Sequence, residues 1–253
     1  MRWTKRTVDS DGVRLAVREA GGGGKPVLLI HGLGFGQRSW DRLAPRLDTS
    51  LRVVTYDQRG HGASDVSDDY SRAAFNADLA MVLDELMLED TVLVGHSLGA
   101  VIAVEHAASH PGCAGVVGVD GGVPVVLPRA DWEVMEGELR RPFARLAMWA
   151  TKVMRLGSRL SFEEIRRVME EYDAVISNLS DAYDGISCPV LLVVGSRPDP
   201  VPQGEEIRDA MRKGVQRLED VHPEVRVEWL PCGHNVPLQQ PAELARLIVE
   251  FVS

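Results

Sequence analysis

Cysteine is scarce in this chain. Its three residues, Cys113, Cys188 and Cys232, lie far apart among 253. An odd, sparse set builds no disulfide framework and suits free thiols in a reducing compartment, so a cytoplasmic location is expected. No run approaches the ~18 apolar residues of a membrane span. The stretch Met1–Arg6 is basic, but no apolar signal-peptide core follows it. Positive charge is also in deficit: 28 Lys and Arg stand against 37 Asp and Glu, a formal net charge of −9. With no basic stripe to offset that balance, nucleic acid is excluded as the expected partner. There is no internal repeat, and no low-complexity segment beyond Gly21–Gly24. That run reads as a flexible connector. It is not a phosphate loop, because no Lys-Ser/Thr follows at the required spacing and no helix starts there.

What is present is an ordinary globular composition, 45% hydrophobic and 26% charged, in a chain long enough to bury one full core. A hairpin is expected first: Arg6–Asp9, a turn near Asp11-Gly12, then Val13–Glu19 with Val13, Leu15 and Val17 alternating. Short apolar strands follow at Val27–Ile30, Arg52–Tyr56, Thr91–Val94, Gly115–Val119, Val190–Val194 and Val225–Leu230. Helical patterns separate most of them, such as Ala73–Met87 with Leu79, Val82, Leu83 and Leu86 on one stripe. This alternation predicts an α/β fold, a mostly parallel, predominantly eight-stranded sheet flanked by helices, with functional groups at the carboxyl ends of the strands.

The rhythm breaks between Asp120 and Ser187. That segment contains no convincing strand, and it reads as a helical insertion after the sixth strand. Ser161-Phe162-Glu163-Glu164 is a capping box, with Ile165, Val168, Met169 and Tyr172 repeating at helical spacing behind it. Trp132, Met135, Leu139, Phe143, Leu146, Met148, Trp149 and Met154 form a second apolar set. Their Met and Trp density suits an adaptable apolar pocket, and Trp132, Met135, Phe143, Met148 and Trp149 are the candidates for substrate contact.

The chemistry-bearing stretch is Thr91–Ala100. It reads as a buried strand running into Gly95-His96-Ser97-Leu98-Gly99 and then a helix from Leu98 to about His110. Such a turn holds a serine strained and exposed, with glycines relieving the crowding. A serine hydroxyl needs a base, an orienting acid behind the base and donors for an oxyanion. The base candidate is His234, in a loop between the last strand and a terminal helix at Pro241–Val252. The donor loop is His31-Gly32-Leu33-Gly34, where the backbone N–H groups of Leu33 and Leu98 would face the oxyanion and the His31 imidazole would fix the loop. Two aspartates are candidates for the acid: first Asp199, which follows the strand after the insertion, and as the alternative Asp120, which ends the strand after the elbow helix. Asp57–Ser64 reads as a loop-bracing segment, and His96 as a packing residue at the elbow.

Together His31-Gly32, Asp57-x-Arg59-Gly60-x-Gly62-x-Ser64, Gly95-x-Ser97-x-Gly99 and Gly233-His234 resemble the α/β-hydrolase superfamily in its small, lid-bearing form, over nearly the whole chain. The resemblance implies a core of residues 1–120 and 188–253, a helical cap at 121–187, and a triad of Ser97, Asp199 and His234. In many relatives the acid lies three residues after the glycine that ends its strand. Here that position is Pro198 and Asp199 comes fourth, which keeps Asp120 open. The expected activity is hydrolysis of an ester, thioester, lactone or similar acyl bond of a small, partly apolar substrate, with neither metal nor organic cofactor. The alternatives are a lyase, cyclase or isomerase on the same fold, or a slow-turnover ligand-binding protein. Epoxide hydrolase and haloalkane dehalogenase chemistry is disfavoured, because relatives with those activities carry Asp where this chain has Ser97.

Overall fold

The computed structural model describes residues 2–126, 154, 157–201 and 203–253. Eight strands form one sheet: β1 (Thr4–Ser10), β2 (Val13–Gly21), β3 (Pro26–Ile30), β4 (Arg52–Tyr56), β5 (Val92–His96), β6 (Gly115–Val119), β7 (Val190–Gly195) and β8 (Arg226–Leu230). Their spatial order is β1-β2-β4-β3-β5-β6-β7-β8. The β1–β2 and β2–β4 pairs are antiparallel, and every later pair is parallel. The eight strands expected from the sequence are therefore all present, with ends displaced by at most two residues. β1 and β2 turn at Asp11 and Gly12, both at positive φ, as a tight hairpin turn requires.

The sheet is covered on both faces, which explains why its central strands are apolar without interruption. Leu28, Ile30, Leu93, Leu192 and Val194 face one core, together with Phe75 and Leu79 of α1 (Arg72–Glu85) and Val101, Ile102 and Val104 of α2 (Leu98–Ser109). Val27, Leu29, Val92, Val94, Leu191 and Val193 face the other. They pack there with Trp40 and with Leu244, Leu247 and Ile248 of the terminal helix Pro241–Val252. Strand periodicity thus divides consecutive residues between two cores.

The helix behind the elbow lies very close to the sheet. A Cβ on Gly99 would fall 2.3 Å from the Ile30 carbonyl oxygen, and one on Gly95 would fall 2.2 Å from the Gly99 oxygen. Only glycine permits this approach. The run Gly21–Gly24 is not the slack connector expected. Gly22 and Gly24 donate to Leu51 and Ser50 at 3.0 Å each, and a side chain at either position would collide with those carbonyls.

Between β6 and β7 the chain forms α3 (Phe162–Ile176) and α4 (Ser180–Tyr183). α3 opens on the expected capping box: Ser161 accepts from the Glu164 N–H, and the Glu164 carboxylate accepts from the Ser161 N–H. Among the described residues of 121–187 there is no strand, only an isolated bridge from Ser158 to His61. Trp132, Met135, Phe143, Met148 and Trp149 lie outside the described residues. After β7 come α5 (Gly204–Val221), α6 (Val236–Gln239) and α7 (Pro241–Val252). Among the described residues no helix is long and apolar enough to cross a membrane.

The segment after β4 braces the strand ends. The Asp57 carboxylate accepts from the Gln37 backbone N–H, the Gln37 side-chain amide and the Ala63 N–H. Arg59 forms a two-pronged pair with Asp78 of α1, at 2.7 Å on each prong, and both side chains are buried. Removing one partner leaves the other charge desolvated and uncompensated. Asp78→Ala is expected to destabilise the fold by about 3–5 kcal/mol, measured as the drop in urea-unfolding free energy. A loss below about 1 kcal/mol, typical of an exposed pair, would contradict this account of the brace.

Candidate active site

Ser97 follows β5 directly and sits at φ 53°, ψ −117°. L residues seldom adopt this conformation, and it persists only where surrounding contacts over-determine it. The Ser97 N–H donates to the Val119 carbonyl at 3.0 Å. Two glycines press on the residue: a Cβ on Gly32 would lie 3.0 Å from the Ser97 Cβ, and one on Gly121 would lie 2.5 Å from its carbonyl oxygen. Leu98 starts α2, so its N–H belongs to the unsatisfied first turn of a helix. Among the described residues no acceptor takes the N–H of Leu98 or of Leu33.

The loop that carries Leu33 is held by imidazoles. Nδ1 of His31 donates to the Gly32 carbonyl at 2.9 Å, and Nε2 accepts from the Gln58 N–H at 3.0 Å. Nδ1 of His61 donates to the Arg59 carbonyl at 2.8 Å, while its Nε2 faces the Gly34 N–H. These roles need neutral rings with the proton on Nδ1. Burial enforces neutrality, lowering His31 to about 4 and His61 to about 3; the neighbouring His31 adds to the shift at His61. His96 is lowered to about 3, first by burial and then by the adjacent His234. Its Nε2 bonds the His234 carbonyl at 2.9 Å, and the two rings lie 4.8 Å apart. The expected packing residue therefore also anchors the candidate base.

The His234 ring meets Asp120, with Nδ1 at 2.7 Å from Oδ2. Asp120 ends β6 at φ 43°. Its Oδ1 accepts from the Gly195 N–H at 2.8 Å and from Nη1 of Arg208 at 2.8 Å, and Nη2 of Arg208 reaches Oδ2 at 3.2 Å. Burial pushes the Asp120 pKa up. The hydrogen bonds and charges of His234 and Arg208 outweigh that penalty and hold it below the usual carboxylate range.

Asp199, the first candidate for the acid, is not the carboxylate on the ring. Both of its oxygens accept from the backbone N–H of His234, at 3.0 and 2.9 Å. The reason is local. The carboxylate occupies the space beside Gly233, where a Cβ would lie 2.3 Å from Oδ1. Asp199 therefore holds the peptide of the histidine, and Asp120 holds its imidazole.

Arg208 was not among the candidates from sequence. It lies on α5 and is 2% exposed. One signal was available. On that helix the buried positions Met211, Val215 and Leu218 form an apolar stripe, and Arg208 occupies the same stripe one turn earlier.

Ser97, Leu33, Leu98, Asp120, Asp199, Arg208 and His234 all border one cavity of about 570 Å³. Its walls are mostly apolar, including Val101 from α2, Val123 from the segment after β6, Ile165, Val168 and Ile176 from α3, and Met211 from α5. A site with a serine on a strained turn, a histidine paired to a buried carboxylate and two unclaimed N–H groups has the parts for nucleophilic acyl transfer.

The model of the alpha/beta hydrolase family matches residues 27–247. Epoxide hydrolase A of Mycobacterium tuberculosis is 41% identical over a segment covering 39% of this chain and 32% of that protein. The match thus spans about a third of that relative's length. A Bacillus subtilis protein provisionally named 2-succinyl-6-hydroxy-2,4-cyclohexadiene-1-carboxylate synthase is 26% identical across 96% of both chains. A crystal structure from Burkholderia cenocepacia, provisionally described as an aryl esterase, superposes with a TM-score of 0.73. It shares 26% identity and covers 98% of each chain.

The neutral histidines give a stability prediction. Unfolded, each takes up a proton near pH 6.5; folded, His31, His61 and His96 resist protonation down to about 4, 3 and 3. The unfolded state therefore binds more protons in that window. Their contribution is complete above about pH 6.5 and is lost as pH falls, by up to ~1.4 kcal/mol per pH unit for each ring. Urea-unfolding free energies measured from pH 7 to pH 4.5 are expected to decline, and His61→Gln should make the decline shallower by about one proton. A slope unchanged by that substitution would contradict the buried-neutral assignment.

Proposed function

The chain belongs to the alpha/beta hydrolase family, and we propose that it acts there as a serine hydrolase on an ester, thioester, lactone or related acyl bond of a small, partly apolar substrate. The observation that carries this reading is the convergence on one cavity of Ser97, held at positive φ, and His234, paired to the buried Asp120. In this mechanism His234 Nε2 takes the Ser97 proton as Oγ attacks the acyl carbon. Asp120 holds the Nδ1–H tautomer and stabilises the imidazolium that forms. The N–H groups of Leu33 and Leu98 receive the oxyanion. Collapse of the tetrahedral intermediate expels the leaving group, which takes the proton from Nε2. Water, deprotonated by the same nitrogen, then attacks the acyl-enzyme and releases the acid.

Residues 121–187 act in this reading as a cap on a core of 1–120 and 188–253. The wall that α3 contributes to the cavity supports it. Trp132, Met135, Phe143, Met148 and Trp149, which lie outside the described residues, are in this reading the candidates for contact with the acyl group. The free thiols of Cys113, Cys188 and Cys232 support a cytoplasmic setting. The activity of epoxide hydrolase A is not carried over, because the elbow residue here is a serine and not the aspartate nucleophile of that chemistry.

A second reading, elimination or cyclisation without net addition of water, is favoured by the synthase name of the relative that matches along the whole chain. Oxygen-18 from solvent water appears in the acid product of hydrolysis and is absent from the product of an elimination.

Wild-type protein is expected to react with a fluorophosphonate probe and Ser97→Ala to remain unlabelled. Wild type that stays unlabelled while folded would overturn the serine mechanism. Asp120→Asn is expected to lower kcat by about 10⁴-fold, as loss of the orienting acid does in other triads. Asp199→Asn, which keeps one oxygen to accept from the His234 peptide and loses a charge 3.6 Å from Arg208, should cost roughly tenfold or less, on the scale of one hydrogen bond. Equal losses would show that the two carboxylates do not divide the work in this way.

A further inference from the structure

The active-site carboxylate is bound by a cation as well as by the histidine. Arg208 is buried on α5 with a full charge and has little access to water to compensate it. Its Nη1 bridges Asp120 Oδ1 at 2.8 Å and the Gly195 carbonyl at 2.7 Å. Its Nη2 lies 3.2 Å from Asp120 Oδ2 and 3.6 Å from Asp199 Oδ2. Its Nε has no hydrogen-bond partner among the described residues. A group placed only for stability would not be kept with a donor unsatisfied, since apolar replacements of buried ion pairs are often neutral or stabilising. The placement is specific instead. Arg208 grips the one carboxylate that also holds the His234 ring, and it touches the second carboxylate, which holds the His234 peptide.

We propose that Arg208 is a positioning residue that fixes Asp120 under the His234 ring and, by sharing its charge, keeps the imidazole able to accept a proton at lower pH than a lone carboxylate would allow. This rests on the serine-hydrolase reading of the site. A carboxylate facing an imidazole favours its protonated form. A guanidinium on the far side of the same carboxylate opposes that effect through a low-dielectric interior. The charged and titratable groups around the ring come from every neighbouring element: Asp120 from the end of β6, Asp199 from the loop after β7, Arg208 from α5, His96 from the end of β5, and Cys232 with the nearby Arg197. His96 is neutral at working pH, and burial and the nearby Asp120 push the Cys232 thiol up to about 11. Two carboxylates therefore flank His234 from these elements, Asp120 at its ring and Asp199 at its peptide. Arg208 is the one arginine or lysine among the described residues within ion-pairing distance of either of them.

The test follows the titration of His234 itself. The ring C–H resonance of His234, identified by its loss in His234→Gln, is followed from pH 4 to pH 9 in wild type, Arg208→Gln, Arg208→Lys and Asp199→Asn. The rate of fluorophosphonate labelling is recorded over the same range. In Arg208→Gln both the titration and the acidic limb of the labelling profile are expected to move up by about one pH unit. Arg208→Lys keeps the charge, so its midpoint should stay near wild type while the rate falls through loss of the planar fork. Asp199→Asn leaves Arg208 less compensated and should move the midpoint down, which gives a result even if Arg208→Gln does not fold. A folded Arg208→Gln that labels slowly with an unmoved midpoint would reduce Arg208 to a structural pin and overturn the proposal. A midpoint in Asp199→Asn that is unmoved or raised would also overturn it. Failure of the serine reading looks different: wild type would not label, yet the resonance would still titrate.

Discussion

Four separate parts of the chain meet at the Asp120 carboxylate. The backbone at the end of β7 donates to it from 75 residues away, Arg208 from 88 and His234 from 114. A buried carboxylate without partners would lose its charge, because desolvation penalises the ionised form. Here each oxygen accepts at least two bonds, so the charge survives. The consequence is mechanical as well as electrostatic. The ends of β6, β7 and β8 and the first turns of α5 cannot move relative to one another without breaking a charge-assisted bond.

A second constraint acts on Ser97. Ser97 adopts an unfavourable backbone conformation because the space around it leaves no other. Gly32 and Gly121 let neighbouring backbone close in, and Gly95 and Gly99 let α2 sit directly on the sheet. The loop from His31 to Gly34 is fixed by imidazoles that carry no charge. His31 and His61 act as paired donor and acceptor struts, and burial keeps them so. The charged braces, Arg59 with Asp78 and Arg208 with Asp120, are buried as well.

Much of this was legible in the sequence, because it is local. Apolar runs of four to six residues mark strands buried on both faces, and the capping box at Ser161 announces α3 to the residue. The elbow at Ser97, the loop at His31 and the histidine at 234 each follow a strand end and announce themselves by glycine. The choice between two carboxylates was not local. Asp120 and Asp199 lie in the loops after two adjacent parallel strands, β6 and β7, and either loop looks able to reach the ring. Gly233 and Arg208 decide between them: the first makes room for Asp199 beside the histidine peptide, and the second draws Asp120 into the interior. Neither effect follows from residue spacing. Arg208 left one trace, a charge in an apolar helical stripe, and the role of the His96 side chain became visible only with β5 and the loop after β8 side by side. The glycine connector at 21–24 misled for the opposite reason. Its residues suggest freedom, while its N–H groups are tied to the segment before β4.

The two bonds to the His234 backbone define what that residue can do. Its N–H is clasped by Asp199 and its carbonyl by His96. Both peptide groups are thereby fixed to the body of the protein, although the residue sits in a loop. The only soft coordinates left are its two side-chain torsions, and the bond from Nδ1 to Asp120 restrains those. In the proposed mechanism, proton transfer between serine, leaving group and water would need only small ring librations. Motions of single side chains belong to the picosecond-to-nanosecond range, far faster than loop rearrangement, so reorienting the ring would not limit turnover in that mechanism. The slow coordinate would then lie elsewhere along the proposed path: in bond making and breaking at the acyl carbon, or in the passage of substrate and product through the cavity mouth.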